Sequence, residues 1–406
     1  MPNTNQVNHH SVLTLKYFNL FLYGSISILM TFFPLYFQTV GLNKVEIGFI
    51  MASGPFISII ANPTWGYLSD RLQNLRFILI VMLLGNLFVV QFVFHFNTGS
   101  MIWIFSTMMV FFFFQTSMFS QSNTLILNAI EGTTYQFGSI RFWGSLGYAV
   151  MAVAAGPVLS WLGVHNLWIV YTILVLLTLA ICTQLPRGKV AKVKKIHFRE
   201  YKNALFGNPY FLFFIIIGIL ISVPNSINQM FVSLYIDEMG GTVSMVGLAA
   251  FSSAFLEIPV FLLFDRYLKK TTTTMFGLLV IVGFIYVLRW VLMAAATGPT
   301  HIILIQALHA ISFGGYFYIG TILTAHLIPI HMRASGQSIY AISWSGISGA
   351  VAGLIGGSMY QDLGPKIMYG CLALIALLGA LGLFILWQHI RKNEKFKADQ
   401  RVSKTD

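Results

Sequence analysis

The sequence predicts an all-α membrane protein with twelve transmembrane helices arranged as two parallel six-helix halves. Three observations predict this fold class: 57% hydrophobic and 9% charged residues, apolar runs of about 20 residues along the whole chain, and one basic segment that divides these runs into two sets of six. Soluble domains contain roughly 25% charged residues. The composition therefore excludes an ordinary soluble domain.

Each apolar run is long enough to cross about 30 Å of hydrocarbon as a helix. The first run follows a polar start and has no small-residue cleavage site behind a short apolar core, so we expect it to remain as the first helix. In chain order, the twelve runs lie at residues 14–38, 44–68, 74–95, 99–125, 138–162, 165–185, 209–236, 243–265, 273–295, 300–326, 334–358 and 365–389.

The net charge of +12 is distributed as membrane topology requires. If both termini are cytoplasmic, every lysine and arginine except Lys44, Lys366 and Arg289 lies on the inner side, which agrees with the positive-inside rule. We therefore predict a multi-pass protein of the cell membrane with both termini in the cytoplasm. The positive charge does not indicate a nucleic-acid partner. Cys182 and Cys371 lie in separate apolar runs without metal-ligand spacing, so we expect no metal and no cofactor.

The stretch RGKVAKVKKIHFREYKN is the only long polar segment between apolar runs. It predicts a first six-helix half at residues 1–186, a basic cytoplasmic linker at 187–206, a second six-helix half at 207–390 and a cytoplasmic tail at 391–406. The linker is expected to lie along the anionic inner leaflet.

The two halves share a sequence pattern. In the first half the pattern consists of Leu35, Tyr36, Gly41 and Gly48. It recurs at one constant offset in the second half as Leu234, Tyr235, Gly240 and Gly247. Asp70-Arg71 recurs as Asp265-Arg266 at a slightly shorter offset. Equivalent positions in corresponding spans indicate a parallel repeat, in which the halves are related by an axis along the membrane normal. This arrangement is typical of transporters.

Three stretches carry a resemblance to a known family. GYLSDRLQNLR, from Gly66 to Arg76, resembles the loop 2–3 signature of the major facilitator superfamily, although the glycine and paired basic residues after the aspartate are reduced. YQFGSIRFWGSLGY (135–148) and QALHAISFGG (306–315) are similar to segments of the lactose-permease-like and phenylpropionate-permease-like branch of proton symporters. The resemblance implies a proton-coupled symporter.

This sequence differs from lactose permeases at positions that affect which solute is recognised. Lactose permeases have an acid where this chain has Asn128, two acids in helix 7 where it has Asn225 and Asn228, and a lysine where it has Gln306. The resemblance therefore does not imply galactoside recognition. Uncharged amides at membrane depth suit a neutral or singly charged solute, and we take these four residues as candidate solute contacts. Hydrogen bonds between helices are the alternative role.

Three ionisable residues within apolar runs are candidates for proton coupling: Glu257, Arg289 and His309. A charge at the centre of a membrane helix costs roughly 2.5 to 3.5 kcal/mol, so it is retained where it is paired, hydrated or functional. The three residues lie at similar depths, and we expect Glu257 and Arg289 to offset each other's desolvation, with Glu257 as the proton carrier. A structural ion pair, or an Arg289 side chain that extends to the surface, is the alternative. For His309 the alternative is a hydrogen-bonded core histidine.

Arg141, Ser145 and Tyr148 are spaced to share one face of helix 5. A guanidinium on a cavity face can bind a carboxylate, a phosphate or a hydroxyl-rich solute in a fork. The matching arginine of lactose permease contacts substrate, so the resemblance implies the same role for Arg141. An arginine at the cytoplasmic interface is the alternative.

Asp70 and Arg71 are predicted to lie on the cytoplasmic loop after helix 2. There an acid can cap a helix or pair with a base that holds the inner side shut, so we take both residues as candidate gating residues. A solvated pair without a role is the alternative.

The function predicted from these features is proton-coupled symport of a small organic solute, either a sugar, a nucleoside or an aromatic acid, by alternating access. A proton-driven efflux antiporter of hydrophobic compounds and a non-transporting sensor on a transporter scaffold remain alternatives. The sequence contains no nucleophile–base pair that would indicate an enzyme. It also contains no P-loop that would indicate ATP coupling. The expected partners are the solute, protons and the lipid bilayer, and the expected state is a monomer.

Overall fold

The chain folds as the predicted series of long helices. The computed structural model describes residues 9–96, 100–130, 133, 135, 137–186, 207–329 and 333–402. The first six helices are α1 (His9–Thr39), α2 (Lys44–Leu72), α3 (Leu75–His95), α4 (Met101–Ile130), α5 (Phe137–Leu162) and α6 (Leu167–Cys182). The next six are α7 (Pro209–Glu238), α8 (Val243–Tyr267), α9 (Thr272–Ala294), α10 (Pro299–Leu327), α11 (333–363) and α12 (365–402). The described residues contain no strand.

Eleven of the described helical stretches are long and apolar enough to cross a membrane. One of them, Gly336–Asn393, is interrupted at Gly364, where φ is 77°. Glycine adopts this left-handed conformation without a side-chain clash, and Pro365 then begins the next helix, where its missing N–H is tolerated. The predicted all-α membrane fold is confirmed, and the break makes the structure consistent with twelve crossings.

The sequence repeat corresponds to a repeat in backbone geometry. Gly41 and Gly240, which follow the ends of α1 and α7, both have positive φ, at 90° and 79°. The equivalent residues Asn43 and Thr242 then cap the N-termini of α2 and α8 by accepting backbone N–H groups. Both turns therefore use a left-handed glycine followed by a polar cap.

The halves approach each other most closely at two helix crossings. A Cβ atom added to Gly353 of α11 would lie 2.6 Å from the carbonyl oxygen of Gly48 of α2. A Cβ atom added to Gly247 of α8 would clash with the carbonyl oxygen of Ala152 of α5. Gly48 and Gly247 are equivalent in the repeat, so each half presents the same glycine for close backbone packing.

Polar contacts join the halves at the end of the helices opposite the termini, which we call the outer end. Gln38 donates from Nε2 to Oδ2 of Asp237 at 3.0 Å and accepts from Nζ of Lys44 at 2.7 Å. The hydroxyl groups of Ser160 and Ser244 are 3.0 Å apart. The Gln38–Asp237 and Ser160–Ser244 contacts hold the two halves together at the outer end.

The predicted domain boundaries stay predictions, because the linker at 187–206 lies outside the described residues. Helix α12 continues to Val402, well into the segment predicted as the tail.

Candidate functional site

A cavity of about 610 Å³ lies between the two halves. Helices α1, α2, α4 and α5 form its wall in the first half, and α7, α8, α10 and α11 form its wall in the second. Apolar atoms form most of its surface, although about half of its lining residues have polar side chains. A concave cavity of this size is typical of a small-molecule site.

Eight of the predicted site residues line this one cavity. They are Arg141, Ser145 and Tyr148 from α5, Asn225 and Asn228 from α7, Glu257 from α8, and Gln306 and His309 from α10. The structure thus brings together candidates that are distant in sequence.

Arg141 forms the charged part of the first half's wall. Its guanidinium carbon lies 4.0 Å from the centroid of the Tyr23 ring, a cation–π geometry. Its Nη1 atom is buried and has no hydrogen-bond partner among the described residues. Ser145 and Tyr148 follow on the same face of α5, at the spacing that an α-helix aligns. This wall therefore presents an arginine with free donor capacity.

Arg289 lies behind the second half's wall and is completely buried. Its Nη2 donates to Oε1 of Gln306 at 2.6 Å, and its Nη1 lies 3.4 Å from Oγ of Ser312 and 3.5 Å from Oδ1 of Asn225. Its guanidinium also packs over the Trp290 ring at 4.5 Å. Burial rules out a side chain that extends to the membrane surface.

The predicted ion pair between Glu257 and Arg289 is wrong. Among the described residues, Glu257 instead pairs with His309, whose Nε2 lies 3.2 Å from Oε1 of the acid. Arg289 donates hydrogen bonds to Gln306 and Ser312 of α10, whereas Glu257 contacts His309 of the same helix. Both Arg141 and Arg289 still interact electrostatically with the Glu257 carboxyl group.

The cavity wall next to this pair is built on irregular helix. Residues Ala310–Gly314 of α10 and Ile342–Ile347 of α11 each form a π-helical segment. Phe313 of the first segment stacks on the His309 ring, with centroids 4.7 Å apart, and packs against Trp344 of the second. π-Segments inside helices frequently occur at functional sites.

The remaining predicted residues lie elsewhere. Asn128 is half-buried near the end of α4 and does not line the cavity, because it falls on a different face of that helix from Gln115 and Phe119. The predicted loop position of Asp70 and Arg71 is wrong, since both belong to the last turn of α2. Arg71 is exposed, whereas the Asp70 side chain lies outside the described residues. The gating role stays a prediction.

Sequence reasoning missed two groups of residues. The first is the aromatic lining of the cavity, Tyr23, Phe119, Phe313 and Trp344, because aromatic residues in an apolar chain give no signal of which way they face. The second is the outer contact between Gln38 and Asp237. These residues occupy equivalent positions in the repeat, three residues after Leu35 and Leu234, and that equivalence could have identified them.

A family model described as "MFS_1 like family" matches residues 12–371. The chain belongs to this family. It is a multi-pass membrane transporter of the major facilitator superfamily, as the resemblance implied. The family match covers most of both halves and includes every residue that lines the cavity.

Relatives of this transporter cover nearly its full length. "Uncharacterized transporter YwbF" of Bacillus subtilis is 25% identical, over 97% of this chain and 96% of its own. "Maltose permease" of Geobacillus stearothermophilus is 24% identical, over 85% and 86%. "Probable 3-phenylpropionic acid transporter" of Escherichia coli is 23% identical, over 90% and 94%.

A solved structure supports the fold independently. A variant of the nucleoside transporter NupG superimposes with a TM-score of 0.81 at 16% identity, covering 92% of this chain and 99% of that chain. At this identity the likeness concerns the fold alone.

Proposed function

We propose that this transporter is a proton-coupled symporter that moves a small organic solute together with protons by alternating access. The observation that carries the proposal is the Glu257–His309 pair in the wall of the cavity shared by both halves. Glu257 is the one acid that lines this cavity within the described part of the chain. Burial in apolar surroundings favours the neutral form of a carboxyl group, so an acid here can take up and release a proton as access changes.

The two walls of the cavity would have different roles in transport. Glu257 would carry the proton, and His309, 3.2 Å away with its Nδ1 free of a hydrogen-bond partner, would pass it to or from the cavity. Arg141, Ser145 and Tyr148 would hold the solute from the opposite wall, and Asn225, Asn228 and Gln306 would complete the polar surface. Arg289 would act indirectly, by fixing Gln306 and Asn225 in position.

The contacts between the halves at the outer end support alternating access. The glycine crossings of α2 with α11 and of α5 with α8 provide smooth backbone surfaces between the halves. Opening the outer side would separate these crossings together with the Gln38–Asp237 hydrogen bond. Movement of one repeat against the other around a fixed central site is the general mechanism of such folds.

A solute-induced proton flux in reconstituted vesicles tests the proposal. Vesicles loaded with a pH-sensitive dye receive maltose, uridine or 3-phenylpropionate outside, without an imposed pH gradient. Symport predicts that a transported solute acidifies the lumen as it enters, and that a protonophore abolishes the signal. Alkalinisation would indicate the efflux antiporter instead. Binding without any proton movement would indicate a sensor, and solute entry without proton movement would indicate a uniporter.

A further inference from the structure

The charges around the cavity do not balance. Two guanidinium groups, Arg141 and Arg289, interact with the single cavity-lining carboxyl group of Glu257 in the described structure. With Glu257 ionised and His309 neutral, the site carries one excess positive charge. When Glu257 takes up a proton, the excess becomes two. Excess charge at membrane depth is costly unless a counter-charge is supplied.

The two arginines differ in what they can offer to a counter-ion. Arg289 is completely buried and its two terminal nitrogens face Gln306, Ser312 and Asn225. Arg141 lines the cavity, packs on the Tyr23 ring and has no hydrogen-bond acceptor at Nη1. A planar guanidinium with free donors matches the two oxygens of a carboxylate.

Part of the cavity wall is aromatic and matches a flat ring. Phe112 and Phe119 from α4 and Phe313 and Trp344 from α10 and α11 line the same space as Arg141. Ring–ring stacking on such side chains is favourable for an aromatic solute.

We infer that the solute is an aromatic monocarboxylate whose carboxylate is bound by Arg141. The inference deepens the proposed symport and rests on it. A monoanion that enters with one proton on Glu257 brings one negative charge to the site for each positive charge added. The loaded site then carries the same excess charge as the empty, deprotonated one, so loading does not increase the charge that must cross the membrane interior.

The test uses two ligands of nearly the same shape that differ in charge. Binding of 3-phenylpropionate and of its neutral primary amide, 3-phenylpropanamide, is measured on the purified transporter by calorimetry at neutral pH. We expect the acid to bind about tenfold or more tightly than the amide, because hydrogen bonds to a charged group contribute about 1.5 to 3 kcal/mol. Benzoate and cinnamate, compared with their amides, extend the test to other ring positions.

Two variants identify the group responsible. Arg141→Gln should bind the acid and the amide equally, with little change for the amide. Its melting temperature reports that it is folded. Lys16→Gln is the matched control, because Lys16 lies near the same end of the bundle, over the Trp143 ring, and does not line the cavity. It should keep the preference for the acid.

Several outcomes would overturn the inference: equal binding of acid and amide by the unmodified protein, a preference that survives in Arg141→Gln, or no binding of any of the three carboxylates. Transport measurements distinguish failure of the carboxylate inference from failure of the proposed symport. Accumulation of maltose or uridine driven by a pH gradient would support proton symport and overturn the inference that the solute is a carboxylate. A carboxylate that binds and exchanges, yet does not accumulate in a pH gradient, would support the inferred solute class and overturn the proposed symport.

Discussion

The two arginines at the cavity of this transporter, one half-buried and one buried, occupy contrasting surroundings. Arg289 in the second half is completely buried and is held by Gln306, Ser312 and Asn225. Arg141 in the first half lines the cavity and rests on the Tyr23 ring, and its buried Nη1 has no hydrogen-bond partner among the described residues. In our proposal the guanidinium group is therefore a structural element in one half and a binding group in the other.

The hydrogen bonds of the terminal nitrogens distinguish the two arginines, although Nε of Arg289 is also buried without a partner among the described residues. A buried cation surrounded by acceptors stabilises the arrangement of those acceptors. A cation without acceptors retains its binding capacity for a ligand. The second half, which also holds the Glu257–His309 pair, would then couple the proton, and the first half would bind the solute.

The largest expected effect is on stability, from replacing each arginine by methionine. Arg289→Met leaves Oε1 of Gln306 and the other acceptors without their buried donor, so we expect a loss of about 3 kcal/mol. Arg141→Met removes no hydrogen bond between described residues, so we expect a change within about 1 kcal/mol. Melting temperatures of both variants in the same detergent provide the comparison. Equal destabilisation would remove the distinction between the two arginines.

The second prediction concerns Glu257. Glu257→Gln resembles the protonated acid in shape and polarity, so it should bind and exchange solute but lose accumulation against a gradient. Uptake of 3-phenylpropionate driven by an outside-acid gradient, measured beside exchange without a gradient, separates the two activities. Glu46→Gln is the matched control, because a glutamine can replace the acid in the capping box at the start of α2. Accumulation by Glu257→Gln at the parent level would transfer the proton role to His309.

The span boundaries and the α5 face could be predicted from the sequence, because they depend on local properties. Hydropathy defines where a helix enters and leaves the membrane. Helical periodicity alone places Arg141, Ser145 and Tyr148 on one side. The equivalent glycines at 41 and 240 could be predicted for the same reason, since a turn with positive φ is a local requirement.

The partners of Arg289 and the position of Trp344 could not be predicted. In a membrane protein both the lipid-facing and the core-facing sides of a helix are apolar, so hydropathy does not indicate how each helix is rotated. The π-segments of α10 and α11 add a further local rotation that no residue pattern shows. Whether Arg289 meets Glu257 or Gln306 depends on these rotations.

The third prediction tests the geometry of the free arginine. Arg141→Lys keeps the positive charge but loses the two-pronged donor geometry. We expect binding of 3-phenylpropionate to weaken about tenfold, because one charge-assisted hydrogen bond of the pair is lost. Calorimetric titration of the lysine variant beside the parent gives the ratio. Full affinity in the lysine variant would mean that the charge alone attracts the solute.

The smallest expected effect comes from the ring that supports Arg141. Tyr23→Leu removes the cation–π contact, which contributes about 0.5 to 1 kcal/mol where it is partly exposed, so binding of 3-phenylpropionate should weaken about twofold to fivefold. Tyr23→Phe is the matched control, since it keeps the ring and removes a hydroxyl that has no hydrogen-bond partner. It should bind like the parent. Titration of both variants under one buffer condition distinguishes the ring from the hydroxyl. A loss in Tyr23→Phe equal to that in Tyr23→Leu would show that the hydroxyl contacts the solute directly, and Arg141 would then share the anchoring of the carboxylate with Tyr23.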